Sequence, residues 1–200
     1  MKETILIKAA EMFLNLGVKS VTMDEIAAEL GISKKTIYTH FSTKTKLIEA
    51  TAFFIFEKIS EGIGQIRKED NDPIEELYVI KDFAMAHLRN EKSSPQYQLQ
   101  KYYPKIFVTI KARQQQLMET QIRANLEKGI RKGIYRKELP LDFISRIYLV
   151  GMVGIKDRDL FPESDYTTND LIEKHLEYHL RAIVTEKGLA FLTNFLKTNS

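Results

Sequence analysis

The chain has 200 residues, with 30 Lys and Arg against 27 Asp and Glu, a formal net charge of +3 and no cysteine. The missing cysteines exclude a disulfide framework and a thiolate metal site, and suit a reducing, cytoplasmic setting. The longest strongly apolar run, residues 147–155, is too short for a bilayer, which takes about 20 apolar residues, and Glu3 and Lys8 interrupt any N-terminal leader.

In chain order, a first helix opens almost at the N-terminus. Thr22 and Glu25 then form a T-x-x-E capping box, with Val21 and Ile26 spaced as a hydrophobic staple around it. Ile26, Ala27 and Leu30 make an apolar stripe, and Gly31 supplies the left-handed residue that ends the helix. Ser33 caps the next helix, with Ile32 and Ile37 as its staple. The spacing lets Leu30, Ile37 and Phe41 share one small core.

That second helix carries Lys34, Lys35, Thr36, Tyr38, Thr39 and His40 and no acid. Two short helices joined by Gly31-Ile32-Ser33, the second basic and hydroxyl-rich, read as a helix-turn-helix suited to the major groove of double-stranded DNA. Lys34 and Lys35 can donate to guanine O6 and N7, and Thr36 and Thr39 can meet thymine methyls or base edges. Thr22 and the amide end of its helix offer a phosphate anchor. Thr43 caps a third helix, which places Lys44 and Lys46 in its first turn. Lysine there opposes the helix dipole at about 0.3–1 kcal/mol each, a cost that an external phosphate offsets.

The remainder reads as helix throughout. The spacing predicts helices from Lys44 to about Lys68, from Pro73 to about Asn90, from Pro104 to about Lys128, over 140–156 and over 169–186, with a loop at 92–95 and a break at Tyr102-Tyr103-Pro104. Residues 140–156 are apolar on opposite faces, through Ile144, Ile147, Tyr148, Gly151 and Ile155 and through Phe143, Val150 and Val153. Such a helix needs covering on all sides. Ile172, Leu176, His179 and Ile183 lie on a broad stripe of the following helix, so a two-fold four-helix interface between two copies is expected. His175 and His179 stand one turn apart, but H-L-E-Y-H is not the H-E-x-x-H of zinc proteases. They are expected to pack at that interface and to weaken it at low pH. The chain shows no Ser/His/acid set, phosphate-cradling loop or metal cluster, so neither catalysis nor a cofactor is expected.

Residues 5–47 resemble the DNA-binding domain of the tetracycline-repressor (TetR) family. The matching text is Ile5-x3-Ala9-Ala10-x2-Phe13-x3-Gly17-Val18, Val21-Thr22-Met23-x2-Ile26-Ala27-x2-Leu30-Gly31-Ile32-Ser33 and Thr36-Ile37-Tyr38-x-His40-Phe41-x-Thr43-Lys44-x2-Leu47. Thr45-Lys46 departs from it, since the family often has acids there. The resemblance implies an all-α protein with a helix-turn-helix domain at 1–47 and a larger helical domain at 48–200 for effector binding and dimerisation. The expected DNA contacts are thus Thr22, Ser33, Lys34, Lys35, Thr36, Tyr38, Thr39, His40 and Lys44, of which the resemblance implies that Thr36 also meets the backbone and that Tyr38, His40 and Lys44 lie on phosphates. The resemblance also raises a small-molecule cavity among the middle helices, for which Phe53, Phe56, Phe83, His87, Tyr103, Phe107, Gln114 and Met118 are candidates. The function so implied is a homodimeric regulator, by default a repressor released by a small apolar or amphipathic effector. An effector-independent DNA-organising protein is the alternative, and an α-helical carrier or enzyme a more distant one.

Overall fold

A computed structural model describes residues 1–69, 71–88, 95–155, 157, 159–162 and 164–198. Among them are α1 (Lys2–Leu16), α2 (Met23–Glu29), α3 (Lys34–His40), α4 (Lys44–Ile66), α5 (Pro73–Leu88), α6 (Pro95–Tyr102), α7 (Pro104–Arg131), α8 (Leu141–Gly154), α9 (Thr168–Ile183) and α10 (Glu186–Thr198). No strand occurs among the described residues, only an isolated antiparallel bridge between Tyr135 and Val184. The protein is all-α, as the sequence patterning requires. The loop expected at 92–95 lies outside the described residues, except that Pro95 opens α6.

The helices form two compact units, Met1–Gly62 with Ala86–Gln114 and Ile63–Met85 with Gln115–Ser200. In the first, Ile5, Ala9 and Phe13 of α1 meet Met23, Ile26 and Ala27 of α2, Ile37 of α3 and Phe41 beyond it. Leu47 and Ile48 of α4 and Ile106 and Ile110 of α7 complete that core. Three short helices have little apolar surface to bury, so the core recruits longer ones. The functional division expected at residue 47 falls inside this unit.

The core of the second unit joins Ile74 and Leu77 of α5, Ile122 and Leu126 of α7, Tyr148 of α8, Leu176, Leu180 and Ile183 of α9 and Leu192 of α10. Helix α7 runs past the expected end at Lys128. Gly133, at φ +70°, stops it, and Ile134 N–H donates to Gly129 O while Gly133 N–H donates to Ile130 O. That double bond is a Schellman cap. Gly129 is needed for space instead, since a Cβ there would overlap the Tyr135 ring.

Helix α9 ends at Ile183, earlier than its apolar stripe suggests, because Val184 turns extended and joins the bridge to Tyr135. Thr185 then starts α10, its hydroxyl accepting from Gly188 N–H at 3.2 Å. Helix α10 adds to the elements expected from the spacing, although Leu189, Leu192 and Leu196 stand at helical intervals.

Candidate nucleic-acid interface

The helix-turn-helix is fixed by local hydrogen bonds that the sequence encodes. The Thr22 hydroxyl accepts from Glu25 N–H at 3.2 Å, and the Glu25 carboxylate accepts from Thr22 N–H at 2.7 Å. Gly31, at φ +63°, closes α2 with a second Schellman pair, in which Gly31 N–H donates to Ala28 O and Ile32 N–H to Ala27 O. Any side chain at Gly31 would face a strained left-handed backbone. The Ser33 hydroxyl accepts from Thr36 N–H at 3.1 Å and starts α3. Ile37 is fully buried, so one face of α3 is clamped to the core and the other is held toward solvent.

The solvent face carries the chemistry. Ser33, Lys34, Lys35, Tyr38, Thr39 and His40 are exposed and Thr36 half-buried. Their partners differ. The Lys34 ammonium lies 2.7 Å from Asp24 of α2, and that hydrogen bond, together with the carboxylate charge, holds its pKa above the ordinary lysine value. The Thr39 hydroxyl donates to Thr36 O at 2.6 Å, and the Ser33 and Thr36 hydroxyls are 2.8 Å apart. Among the described residues Lys35 has no such partner and stands ready to donate.

Thr43 caps α4 through Lys46 N–H at 3.1 Å. The Lys44 ammonium is half-buried and donates to Lys19 O at 3.0 Å, and burial draws its pKa down against the pull of Glu25. Lys46 pairs with Glu49 at 2.7 Å. Lys2, His40, Phe41, Ser42 and Lys46 border an open groove of about 400 Å³ beside α3. Neither the Lys34–Asp24 pair nor the place of Lys2 has a signal in local spacing. Both are tertiary contacts between separate helices.

Residues 5–51 match the profile of the bacterial regulatory proteins, tetR family, over the stretch whose geometry has just been described. That segment is a DNA-binding domain of the tetR family. Nucleoid occlusion factor SlmA of Vibrio cholerae is 29% identical over 86 residues, which cover 42% of this chain and 44% of that protein, less than half of either. SlmA of Vibrio campbellii is 25% identical over 174 residues, 82% of this chain and 85% of that protein. A transcriptional regulator from Cytophaga hutchinsonii shares the fold with a TM-score of 0.72 at 19% identity, covering 92% of this chain and 98% of that one.

The residues expected to line a cavity divide between the two units. Phe53, Phe56 and Tyr103 pack on the first core and Met118 on the second. Phe83 and Phe107 are half-buried and Gln114 is exposed, while the His87 side chain lies outside the described residues.

The expected dimer residues also separate. Tyr148, Ile172, Leu176, His179 and Ile183 are buried within their own unit. Gly151 is covered by the His175 ring, with which a Cβ there would overlap. Ile144 and Ile155 are half-buried, whereas Phe143, Ile147, Val150 and Val153 of α8 stay exposed, at 61, 46, 64 and 48%. No helix among the described residues is long and apolar enough to cross a membrane.

Proposed function

We propose that the protein is a cytoplasmic homodimer that binds a near-palindromic operator and represses by occupying it. The observation that carries this reading is α3 itself. It is a capped helix, locked by Ile37, whose solvent side bears Lys35, Tyr38, Thr39 and His40 without one carboxylate. Lys35 reads base edges, Thr22, Tyr38, His40 and Lys44 hold phosphates, and Ser33, Lys34, Thr36 and Thr39 fix the helix and its register. Two such helices, related by a dyad, enter major grooves about one helical turn apart or somewhat more.

The exposed stripe Phe143, Ile147, Val150 and Val153 supports dimerisation through α8. Its spacing of three and four residues is one helix face, and a contiguous apolar face of this kind marks an interaction site. A small apolar or amphipathic effector acting on the middle helices releases the operator only if it binds the low-affinity conformation more tightly. Helix α4 is the natural transmitter: it begins at Lys44 and continues through Phe53 and Phe56 to Ile66.

The test is selection of bound sequences from a random duplex pool at moderate salt. Enrichment of a palindrome supports the reading and supplies the probe for an effector screen, and absence of any enriched sequence overturns it. The likeness to nucleoid occlusion factors over most of the chain favours one second reading, a DNA-organising protein without an effector. Operator affinity that no compound shifts would select it.

A further inference from the structure

We propose that α6, the start of α7 and the loop before α2 form a second phosphate-binding track, which extends the DNA contact beyond the half-site read by α3. The inference rests on the DNA-binding reading above and adds residues outside the helix-turn-helix. Residues 95–118 contain Lys101, Lys105, Lys111 and Arg113 and no Asp or Glu.

Elsewhere in the same unit several lysines pair with carboxylates: Lys8 with Glu11 and Glu29, Lys34 with Asp24, Lys46 with Glu49 and Lys58 with Glu61. Two cations of the track rest on aromatic rings instead. The Lys19 ammonium lies 4.6 Å from the Tyr102 ring centre, and the Lys101 ammonium 5.6 Å from those of both Tyr97 and Tyr102. A ring orients an ammonium through its quadrupole and leaves the positive charge uncancelled. Lys19, Lys101, Lys105, Tyr97 and Tyr102 are all exposed, and among the described residues no carboxylate forms an ion pair with these lysines. Oriented, unneutralised, exposed cations make a surface for a polyanion.

Continuity identifies the polyanion. The Lys19 carbonyl accepts from the Lys44 ammonium at 3.0 Å, so the residue that anchors Lys44 at the head of α4 also carries the first cation of the track. The Gln98 side chain accepts from Lys19 N–H at 3.1 Å and ties that loop to α6. A duplex whose backbone reaches Lys44 therefore meets Lys19 next and Lys101 beyond it. The ligand is the phosphate backbone flanking the operator half-site. Recognition is by charge, so the track adds affinity without sequence preference.

The experiment compares the whole protein with a Lys101→Gln/Lys105→Gln variant and with Lys19→Gln. Each is titrated over a range of salt against two duplexes, one trimmed to the selected palindrome and one extended by about a helical turn on each side. On the extended duplex the slope of log affinity against log salt is expected to shrink by about 0.9 for each phosphate contact removed per protomer. On the trimmed duplex the variants should match wild type, which also shows that they fold. Variants equal to wild type on both duplexes overturn the track while the regulator reading stands, and an acidic protein partner would then be the fit for these lysines. Wild-type protein that binds neither duplex overturns both.

Discussion

The Lys34 ammonium sits 2.7 Å from the Asp24 carboxylate and joins α3 to α2 across their turn. Two adjacent lysines at the head of the recognition helix thus differ in availability, since Lys35 has no comparable partner among the described residues. Lys35→Ala should cost about 1–3 kcal/mol at the base pair it reads and relax preference there. Lys34→Ala should weaken binding less, and Asp24→Asn, by releasing Lys34, should tighten binding to all sequences. Equilibrium titration of the three variants on one operator checks the order. Equal losses for Lys34→Ala and Lys35→Ala would show that DNA displaces Asp24.

A buried polar network stiffens the second unit. Glu76, 1% exposed, accepts from the Lys128 ammonium at 2.7 Å and from the Asn125 amide at 2.9 Å. Asn125 also donates to Pro73 O at 2.9 Å and accepts from the Tyr135 hydroxyl at 3.0 Å. Groups that lose a partner here stay largely shielded from water. Glu76→Ala should therefore destabilise the fold by about 3–5 kcal/mol, most of it from the stranded charge on Lys128. Urea unfolding measures it, and a loss below about 1 kcal/mol would mean that water reaches Lys128 and compensates.

Capping and stop signals made the helix-turn-helix legible residue by residue. Thr22 with Glu25, Gly31, Ser33 and Thr43 act within a few positions of themselves, so local spacing is enough to place them. Longer-range competition hid the rest. Val184 leaves α9 for a bridge to Tyr135, far away along the chain, and that choice makes room for α10. The same limit explains Tyr148 and His179. An apolar stripe shows that a helix is covered, but not whether its own chain or a second copy covers it.

His179 links pH to stability. Its side chain is 5% exposed and packs edge-on to Tyr148 with ring centres 4.8 Å apart, while Nε2 has no hydrogen-bond partner among the described residues. Burial first, and the neighbouring His175 second, lower its pKa to about 4. The folded pKa lies below the unfolded value of about 6.5, so between those values the unfolded chain binds a proton that the folded chain refuses. Stability contributed by neutral His179 is complete above about pH 6.5 and falls as pH drops toward 4, by up to about 3 kcal/mol. His175, also lowered by burial, adds in the same direction. Urea midpoints at pH 4.5 and 7.5 should differ less for His179→Phe than for wild type, and an unchanged difference would place the sensitive group elsewhere.

The exposed stripe of α8 sets the last expectation. Val150 is 64% exposed and lies between Ile147 and Val153 on the uncovered face. Across a two-fold axis a residue on the interface meets its own copy or a near neighbour of it. Val150→Glu therefore sets like charges against each other in an apolar contact, at little cost to a monomer in which the position faces water. Light scattering should show a dimer for wild type and a monomer for the variant, with the helical circular dichroism unchanged. Operator affinity should fall together with the dimer, because one protomer reads only half the palindrome. A variant that stays dimeric would move the interface off this face of α8.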